Sequence, residues 1–348
     1  MNRQFAALRG LAIVVVVFYH AIELGSSIPR EWGYPAIGGI ARLVLLLLQQ
    51  IGPLAVPTFL FISGCFVAYA AAGTPPKLAW KTVWSNLKRL LWPYLLWSIL
   101  FYIIIYFQRH ETYSLPGYIK QLIVGYPYNF VPLLLFWLVL APILVQLTRR
   151  FSNVLIAVIL VYQLILLNLE YPGSLGFTFP NWVSFLKPPV LHSTLAVWGI
   201  YYPLGLIYSV NAKSMTPWLQ KNRAVLWAIT GVFFVFGFLS RAEILKFQLA
   251  EHVYPLTFVL LLPTIKRDAI PWVRQLEQVG KHSYGLYLTN LIILDLALVS
   301  VKALMPNLLN YRIWLMPPLF VLALVIPLAV MSKLARSPAK GMNHYVFG

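Results

Sequence analysis

Long apolar stretches follow one another along almost the whole chain, and they constrain its fold more than any other feature. A helix needs about 20 mainly apolar residues to cross a bilayer, and hydropathy predicts about ten such spans. Only 10% of the 348 residues are charged, whereas a soluble domain carries about 25%. We therefore predict an all-α polytopic membrane protein, with residues 1–348 as one integral-membrane domain and no appended soluble domain. The predicted spans are 5–24, 54–72, 90–107, 130–147, 154–169, 191–209, 224–239, 253–265, 282–301 and 313–331.

A shorter apolar segment, 37–51, decides the direction of every later span. It carries Arg42 and ends at Gly52 and Pro53, so we predict a re-entrant or interfacial helix. The alternative is a true span, which would reverse the orientation of all the spans that follow.

Basic residues are clustered between the apolar segments, as the positive-inside rule expects of cytoplasmic loops. This clustering accounts for the net charge of +18 without a nucleic-acid partner. With ten spans and a cytoplasmic N-terminus, eighteen of the 27 basic residues fall on the cytoplasmic side, so both termini are predicted to be cytoplasmic. These eighteen are Arg3, Arg9, Lys77, Lys81, Lys88, Arg89, Arg149, Arg150, Lys213, Lys221, Arg223, Lys266, Arg267, Arg274, Lys281, Lys333, Arg336 and Lys340.

The first span, RGLAIVVVVFYHAIE, places three ionisable residues in one apolar helix: Arg9, His20 and Glu23. Such groups are costly inside a membrane and mark functional sites by default. Eleven residues make three turns plus roughly 20°, so Arg9 and His20 share a face about 16 Å apart along the axis. Glu23 lies next to His20 on that face and can orient or charge the imidazole. The helix thus offers a cation and a buried base; the alternative is a snorkelling arginine, a packing histidine and an interfacial carboxylate.

Other polar residues in the spans give weaker signals. Ser63 can be an acyl-accepting nucleophile, but the adjacent Gly64 favours close helix packing. Asp295 is costly wherever it faces lipid, so it lines a cavity or pairs with a cation. The other histidines lie near loops or span ends without metal-ligand spacing, so no metal is predicted. The lone Cys65 excludes an intramolecular disulfide.

Five segments resemble signatures of the family-3 membrane acyltransferases, in the order in which that family has them. In its first span the family has an arginine, then ten other residues, then a histidine. Arg9 in LRG and His20 in YH match this pattern. The segments are Leu8–Gly10 with Tyr19 and His20; FLFISGCF, 59–66; LKRLLWPY, 87–94; LFWL, 135–138; and GKHSYGLYLTN, 280–290. In the last segment Asn290 stands where the family often has histidine.

The resemblance implies a membrane O-acyltransferase that moves an acetyl or other short acyl group from acyl-CoA to a hydroxyl group. The expected acceptor is a sugar, a glycolipid or an envelope polysaccharide. The expected location is the cell membrane, in bacteria the inner membrane, as a multi-pass protein. No permanently bound cofactor is implied, and glycan-assembly proteins are the expected partners.

The site residues implied by the resemblance fall into three groups. His20 is the general base or transient acyl carrier, with Glu23 beside it. Cations at one membrane face are expected to bind the donor phosphates; for Lys88 and Arg89 the alternative is a role in positive-inside topology alone. These cations are Arg9, Lys88 and Arg89, and the residues expected to line the cavity are Ser63, Tyr19, Tyr284, Asn290 and Asp295.

Two other functions stay open at this point. A secondary transporter or polysaccharide exporter would also need buried charged residues along a path. A non-catalytic subunit of a glycan-assembly system would share the membrane architecture. The acceptor and the acyl group are not specified by any residue pattern.

Overall fold

The computed structural model describes residues 3–71 and 78–348, which excludes the predicted span end Ala72 and the predicted cytoplasmic cation Lys77. Every regular element in those two ranges is an α-helix or a 3-10 helix, which confirms the all-helical prediction. The α-helices are α1 Arg3–Glu31, α2 Gly39–Gln49, α3 Ala55–Ala70, α4 Trp80–Arg109, α5 Leu115–Val124, α6 Phe130–Glu170, α7 His192–Trp198, α8 Tyr201–Val210, α9 Ala212–Lys221, α10 Arg223–Arg241, α11 Ala250–Leu261, α12 Val273–Lys281, α13 Ser283–Leu304, α14 Arg312–Arg336 and α15 Met342–Val346.

Seven helical stretches of the described chain are long and apolar enough to cross a membrane, so the protein is a multi-pass membrane protein. The other predicted spans coincide with shorter helices: residues 191–209 with α7 and α8, and residues 253–265 with α11. The number of ten spans therefore stays a prediction. The seven stretches are Arg3–Glu31, Gly39–Ala70, Trp80–Arg109, Phe130–Glu170, Arg223–Arg241, Ser283–Leu304 and Pro306–Arg336.

Helix α6 contains two of the predicted spans. Its 41 residues would extend about 60 Å as an ideal helix, twice the thickness of the hydrocarbon core. The backbone leaves the helical region at Phe151, directly after Arg149 and Arg150. Two apolar halves therefore meet at a kink marked by cations, where the sequence predicts a cytoplasmic turn.

The predicted span 191–209 is interrupted between α7 and α8. Pro203 has no N–H group to donate within its helix, and the chain turns at Gly199 and Ile200. The Gln163 side chain satisfies backbone groups there: its Oε1 accepts from Ile200 N at 2.6 Å and its Nε2 donates to Val197 O at 3.3 Å. A polar side chain on α6 thus replaces hydrogen bonds that the interrupted helix cannot make, as irregular backbone at membrane depth requires.

The segment predicted as re-entrant or interfacial forms α2, an 11-residue helix. Eleven residues rise about 16 Å, half the hydrocarbon thickness. A 3-10 turn, Gly52–Leu54, separates it from α3, although hydropathy joins both helices in one apolar stretch. Pro53 in that turn lacks an N–H group and favours the interruption.

The packing of the chain divides it into two compact units. Unit 1 comprises Met1–Phe5, Val56–Leu91 and Tyr113–Ala269; unit 2 comprises Ala6–Ala55, Trp92–Thr112 and Ile270–Gly348. The prediction of one integral-membrane domain stays a prediction.

In unit 2, α1 runs parallel to α12 and α13. A β-carbon on Gly10 would overlap the backbone of Leu276, and one on Gly280 would overlap the carbonyl of Ala6, so the backbones touch. Ten residues further along both segments, His20 contacts Asn290. The contact positions increase together along the two segments, which defines parallel helices in a fixed register.

The two ends of unit 2 are fastened by different contacts. Near the start of α13, Phe347 packs against Gly285, and Trp97 Nε1 donates to Val346 O at 2.7 Å. Beyond the C-terminal end of α13, the Tyr34 hydroxyl donates to Pro306 O at 3.2 Å. The C-terminal segment therefore lies at the same end of unit 2 as the N-terminal part of α1, and the loop after α1 lies at the other.

In unit 1, α3 and α8 cross at two glycines. A β-carbon on Gly64 would overlap the Tyr202 carbonyl, and one on Gly205 would overlap the Phe61 backbone. The Cys65 thiol donates to Gly205 O at 3.1 Å. Small residues allow this backbone approach, which is a main source of helix association in membranes.

We expect Gly64→Ala to destabilise the protein by about 1–3 kcal/mol, because the added methyl group overpacks a backbone contact. Gly231→Ala in α10 is the matched control, since its added β-carbon meets nothing within 4 Å. Thermal unfolding in detergent, followed by tryptophan fluorescence, measures both. Equal midpoints for the two variants would contradict the close crossing of α3 and α8.

Candidate functional site

His20 lies on α1, in a stretch whose apolar and β-branched residues continue without glycine or proline from Leu11 to Leu24. Its imidazole is half-buried. Nδ1 lies 2.7 Å from Oδ1 of Asn290, a residue with no exposed surface. The structure therefore pairs the predicted base with a polar residue from the opposite end of the sequence.

The Asn290 amide is held within its own helix, α13. Its Nδ2 atom donates to the carbonyl of Leu286 at 2.9 Å and to that of Tyr287 at 2.6 Å. These carbonyls lie one turn earlier, so the amide is oriented by the backbone around it. Sequence reasoning placed Asn290 in the cavity lining and did not anticipate its contact with His20.

Glu23 follows His20 by one turn and is exposed. Its Oε2 atom accepts a hydrogen bond from Gln49 Nε2 at 2.7 Å, and Gln49 is the last residue of α2. The carboxylate thus connects α1 to the short helix α2. The catalytic role predicted for Glu23 stays a prediction.

Tyr19 lies beside His20, with ring centroids 5.9 Å apart in an edge arrangement. Its ring covers Gly52 so closely that a β-carbon there would overlap it. Tyr19 therefore fills the space at the turn between α2 and α3, and its neighbour His20 lies near that turn.

Arg9 is half-buried on the same uninterrupted helix as His20. The predicted spacing of about 16 Å along the axis therefore applies. Arg9 precedes Gly10, where the backbone of α1 touches that of α12. The cation and the imidazole occupy the same rigid element.

Asp295 is 2% exposed, and its Oδ1 atom accepts from Arg109 Nη2 at 3.1 Å. Arg109 is the last residue of α4, and His110 after it adopts a left-handed conformation that ends the helix. A cation at a helix C-terminus is favoured by the helix dipole. The ion pair joins α4 to α13 within unit 2 and compensates the buried carboxylate.

Tyr284, also buried, lies in the first turn of α13. Gly285 beside it leaves no room for a side chain, because Met331 and Phe347 pack against its backbone. The structure thus places Tyr284 at the packed start of α13, a turn and a half before Asn290.

Three predicted site residues belong to unit 1. Ser63 is half-buried at the crossing of α3 and α8. Lys88 and Arg89 are exposed on the first half of α4. Lys88 Nζ lies 5.4 Å from the centre of the Trp84 ring, a cation–π contact that keeps the ammonium at the surface.

Another polar cluster of unit 1 surrounds Glu170 at the end of α6. Its carboxylate accepts from Lys187 at 2.7 Å, from Ser193 Oγ at 2.6 Å and from His192 Nδ1 at 2.8 Å. Ser193 and His192 both donate to the same carboxylate, so His192 Nδ1 cannot also accept the serine proton. The cluster fastens a loop and does not form a nucleophile relay.

Among the described residues, no group of three His, Cys, Asp or Glu side chains could hold a metal ion. The polar contacts inside unit 2 include His20 with Asn290, Glu23 with Gln49, and Arg109 with Asp295. Together with the candidate spans, they describe a multi-pass helical membrane protein with a histidine inside its first helix.

Comparison with known families agrees with this class. The family model of the acyltransferase domain, acyltransferase family 3, matches residues 2–335. The chain belongs to this family and is a membrane acyltransferase. No curated protein and no solved structure matches it.

Proposed function

We propose that the protein transfers an acetyl or another short acyl group from acyl-CoA to a hydroxyl of a sugar, glycolipid or envelope polysaccharide. The observation that carries the proposal is the position of His20: an imidazole inside the first helix, held by a buried amide. Family membership supports acyl transfer and does not favour the transporter or exporter alternative.

His20 acts on the acceptor hydroxyl in this proposal. The imidazole removes the hydroxyl proton, the oxygen attacks the thioester carbon, and the carbon–sulfur bond breaks as the ester bond forms. The imidazolium then returns the proton to the leaving thiolate. In a covalent variant the imidazole attacks the thioester carbon, and the carbon–sulfur bond breaks to release the coenzyme A thiolate. The acceptor oxygen then takes the acyl group from the imidazole, and the hydroxyl proton goes to the thiolate.

The donor is bound through its phosphates by Arg9, Lys88 and Arg89. In the ten-span arrangement each lies near the cytoplasmic end of its predicted span, where a cation also satisfies the positive-inside rule. Charge-assisted bonds to phosphate are among the stronger polar contacts. Exposure of Lys88 and Arg89 leaves them accessible to a charged ligand.

Ten spans with both termini in the cytoplasm are supported by the packing of unit 2. Two spans that run parallel must be separated by an odd number of other spans. The predicted topology has seven spans between α1 and α13. Counting α2 as a further span would make the number even and the helices antiparallel. The C-terminal segment also packs near the start of α13, and the excess of basic residues assigns that end to the cytoplasm.

The acceptor meets the acyl group in the membrane or receives it through a separate glycan-assembly partner. Its hydroxyl has to reach His20, which follows Arg9 by about 16 Å along α1. A lipid-linked sugar and a soluble hydroxyl compound both satisfy this requirement. The bacterial inner membrane is the proposed location.

Reporter fusions at the two ends of the chain test the topology. We expect both to report the cytoplasmic side, because the basic residues of the connecting loops favour it two to one. Signals from opposite sides would require an odd number of spans and contradict the arrangement.

Replacing Arg89 with alanine should weaken coenzyme A binding by roughly 1–3 kcal/mol, the range of a charge-assisted hydrogen bond. Lys81→Ala is the matched control, because Lys81 is an exposed cation on the same helix. Calorimetry on the purified protein measures both affinities. An equal loss of coenzyme A affinity in the two variants would show that Arg89 contributes only as a general surface charge.

Replacing His20 with glutamine should lower acyl transfer by at least roughly 10² to 10⁴, because glutamine can hydrogen-bond but is no base near neutral pH. Release of coenzyme A from acetyl-CoA by purified protein in nanodiscs is the measurement. His252→Gln, which removes another histidine from a helix, α11, is the control.

Near-normal turnover of a folded His20→Gln variant would make His20 a packing residue. If the wild-type protein itself cleaved no acyl thioester, including longer and dicarboxylic acyl-CoA donors, the proposed donor would be wrong.

A further inference from the structure

The side-chain amide of Asn290 has only one orientation compatible with its surroundings. Both hydrogens of Nδ2 are directed to carbonyl oxygens, those of Leu286 and Tyr287. Rotating the amide by 180° would place its oxygen against these two carbonyl oxygens, and two acceptors cannot form a hydrogen bond. Oδ1 therefore faces His20, 2.7 Å from Nδ1.

This orientation determines which imidazole nitrogen carries the proton. A carbonyl oxygen accepts hydrogen bonds and cannot donate them. Nδ1 of His20 must then be the donor, and the neutral ring has its lone pair on Nε2. Among the residues that the structure describes, Nε2 makes no hydrogen bond, so its lone pair is available to a ligand.

The register of α1 against α12 and α13 keeps this pair together. Gly10 and Gly280 mark backbone contacts that leave no space for a side chain, and they lie ten residues before His20 and Asn290. A shift by one residue along either helix would move the two polar groups about 1.5 Å apart along the axis and around the helix by 100°. The hydrogen bond depends on close packing about 15 Å away along the helix.

We infer that Asn290 is a positioning residue that holds His20 as the Nδ1–H tautomer, so that Nε2 is the atom that reacts. This inference rests on the proposed function and names the reacting atom within it. The acceptor proton moves to Nε2 as its oxygen bonds to the thioester carbon. The proton then moves from Nε2 to the departing sulfur, while Nδ1–H stays bonded to Asn290. In the covalent variant, Nε2 bears the acyl group.

Asn290, and not Glu23, is the group that orients the ring in this arrangement. The Glu23 carboxylate is bonded to Gln49, whereas the Asn290 oxygen contacts the imidazole directly. A neutral amide orients the ring without adding a negative charge that would stabilise the imidazolium. Asn290 thus orients the imidazole ring, whereas the basicity of His20 depends on the other groups around it.

A spectroscopic experiment tests the tautomer without any activity measurement. The full chain is prepared with ¹⁵N-labelled histidine in nanodiscs, and the His20 signals are identified by their loss in His20→Gln. We expect a protonated, pyrrole-type Nδ1 and an unprotonated, pyridine-type Nε2. A protonated Nε2 in the neutral ring would overturn the inference, whatever the enzyme does with acetyl-CoA.

Two variants test the consequence for turnover. Asn290→Leu removes the acceptor, so both tautomers should appear in the spectrum and coenzyme A release should fall by roughly 10- to 100-fold, as for groups that orient metal-binding histidines. The KM for acetyl-CoA should change little, because Asn290 does not contact the donor. Asn290→Asp keeps an acceptor, so it should retain turnover at high pH, with the acid limb of the pH–rate profile moved to higher pH.

Asn168→Leu is the matched control, because Asn168 is a buried asparagine on another apolar helix, α6. It should lower stability without altering the tautomer or the pH–rate profile. Unchanged turnover and an unchanged profile in Asn290→Leu would contradict a positioning role. The expected tautomer in a protein that cleaves no acyl thioester would instead refute the proposed function and leave the assignment of a protonated Nδ1 and an unprotonated Nε2 intact.

Discussion

The exclusion of water from the hydrocarbon core is the constraint on which this structure depends. A polar group that lacks a partner there costs several kcal/mol, and several buried polar groups of this chain are paired internally. Gln163 replaces backbone hydrogen bonds where α7 meets α8. Arg109 compensates Asp295, and Asn290 donates to two carbonyls of its own helix while its oxygen contacts His20. The same requirement that makes the chain helical also makes its polar contacts specific.

Glycine residues determine the register in which neighbouring helices pack. Lipid is as apolar as the helix surfaces, so burial of apolar side chains gives little preference for one register over another. Backbone contact at Gly10 and Gly280 does give such a preference, because a shifted helix would bring larger residues against the neighbouring backbone. Gly64 and Gly205 serve the same purpose in unit 1. Close packing therefore determines which polar side chains meet.

Local geometry explains what the sequence predicted well. The apolar segments, the uninterrupted first helix and the placement of Arg9 and His20 on it depend on residues close in sequence. So do the short α2, which follows from Pro53, and the break in α6 beside Arg149. The family signatures added the activity, because their order along the chain is specific although each one alone is weak.

Tertiary geometry explains what the sequence left open. His20 and Asn290 are 270 positions apart, and no helical periodicity relates two separate helices. Glu23 was the nearer candidate for orienting His20, yet the packing of α2 gives it Gln49 as a partner. A usable signal did exist: a buried asparagine in a membrane helix needs a polar partner, and the interval from Gly280 to Asn290 equals that from Gly10 to His20. Only the structure shows that these two intervals lie side by side.

The distance between Arg9 and His20 also bears on the choice of donor. Arg9 and His20 are about 16 Å apart along one rigid helix, so a ligand that contacts both must be charged at one end and reactive at the other. The part between them must be long and uncharged, because it crosses apolar surroundings in which a charge would be costly. Coenzyme A has this form, since an uncharged pantetheine arm separates its phosphates from its sulfur. A free acyl phosphate carries its charge beside the reacting carbon and would leave either the cation or the imidazole unused. The spacing within one helix therefore supports the proposed thioester donor.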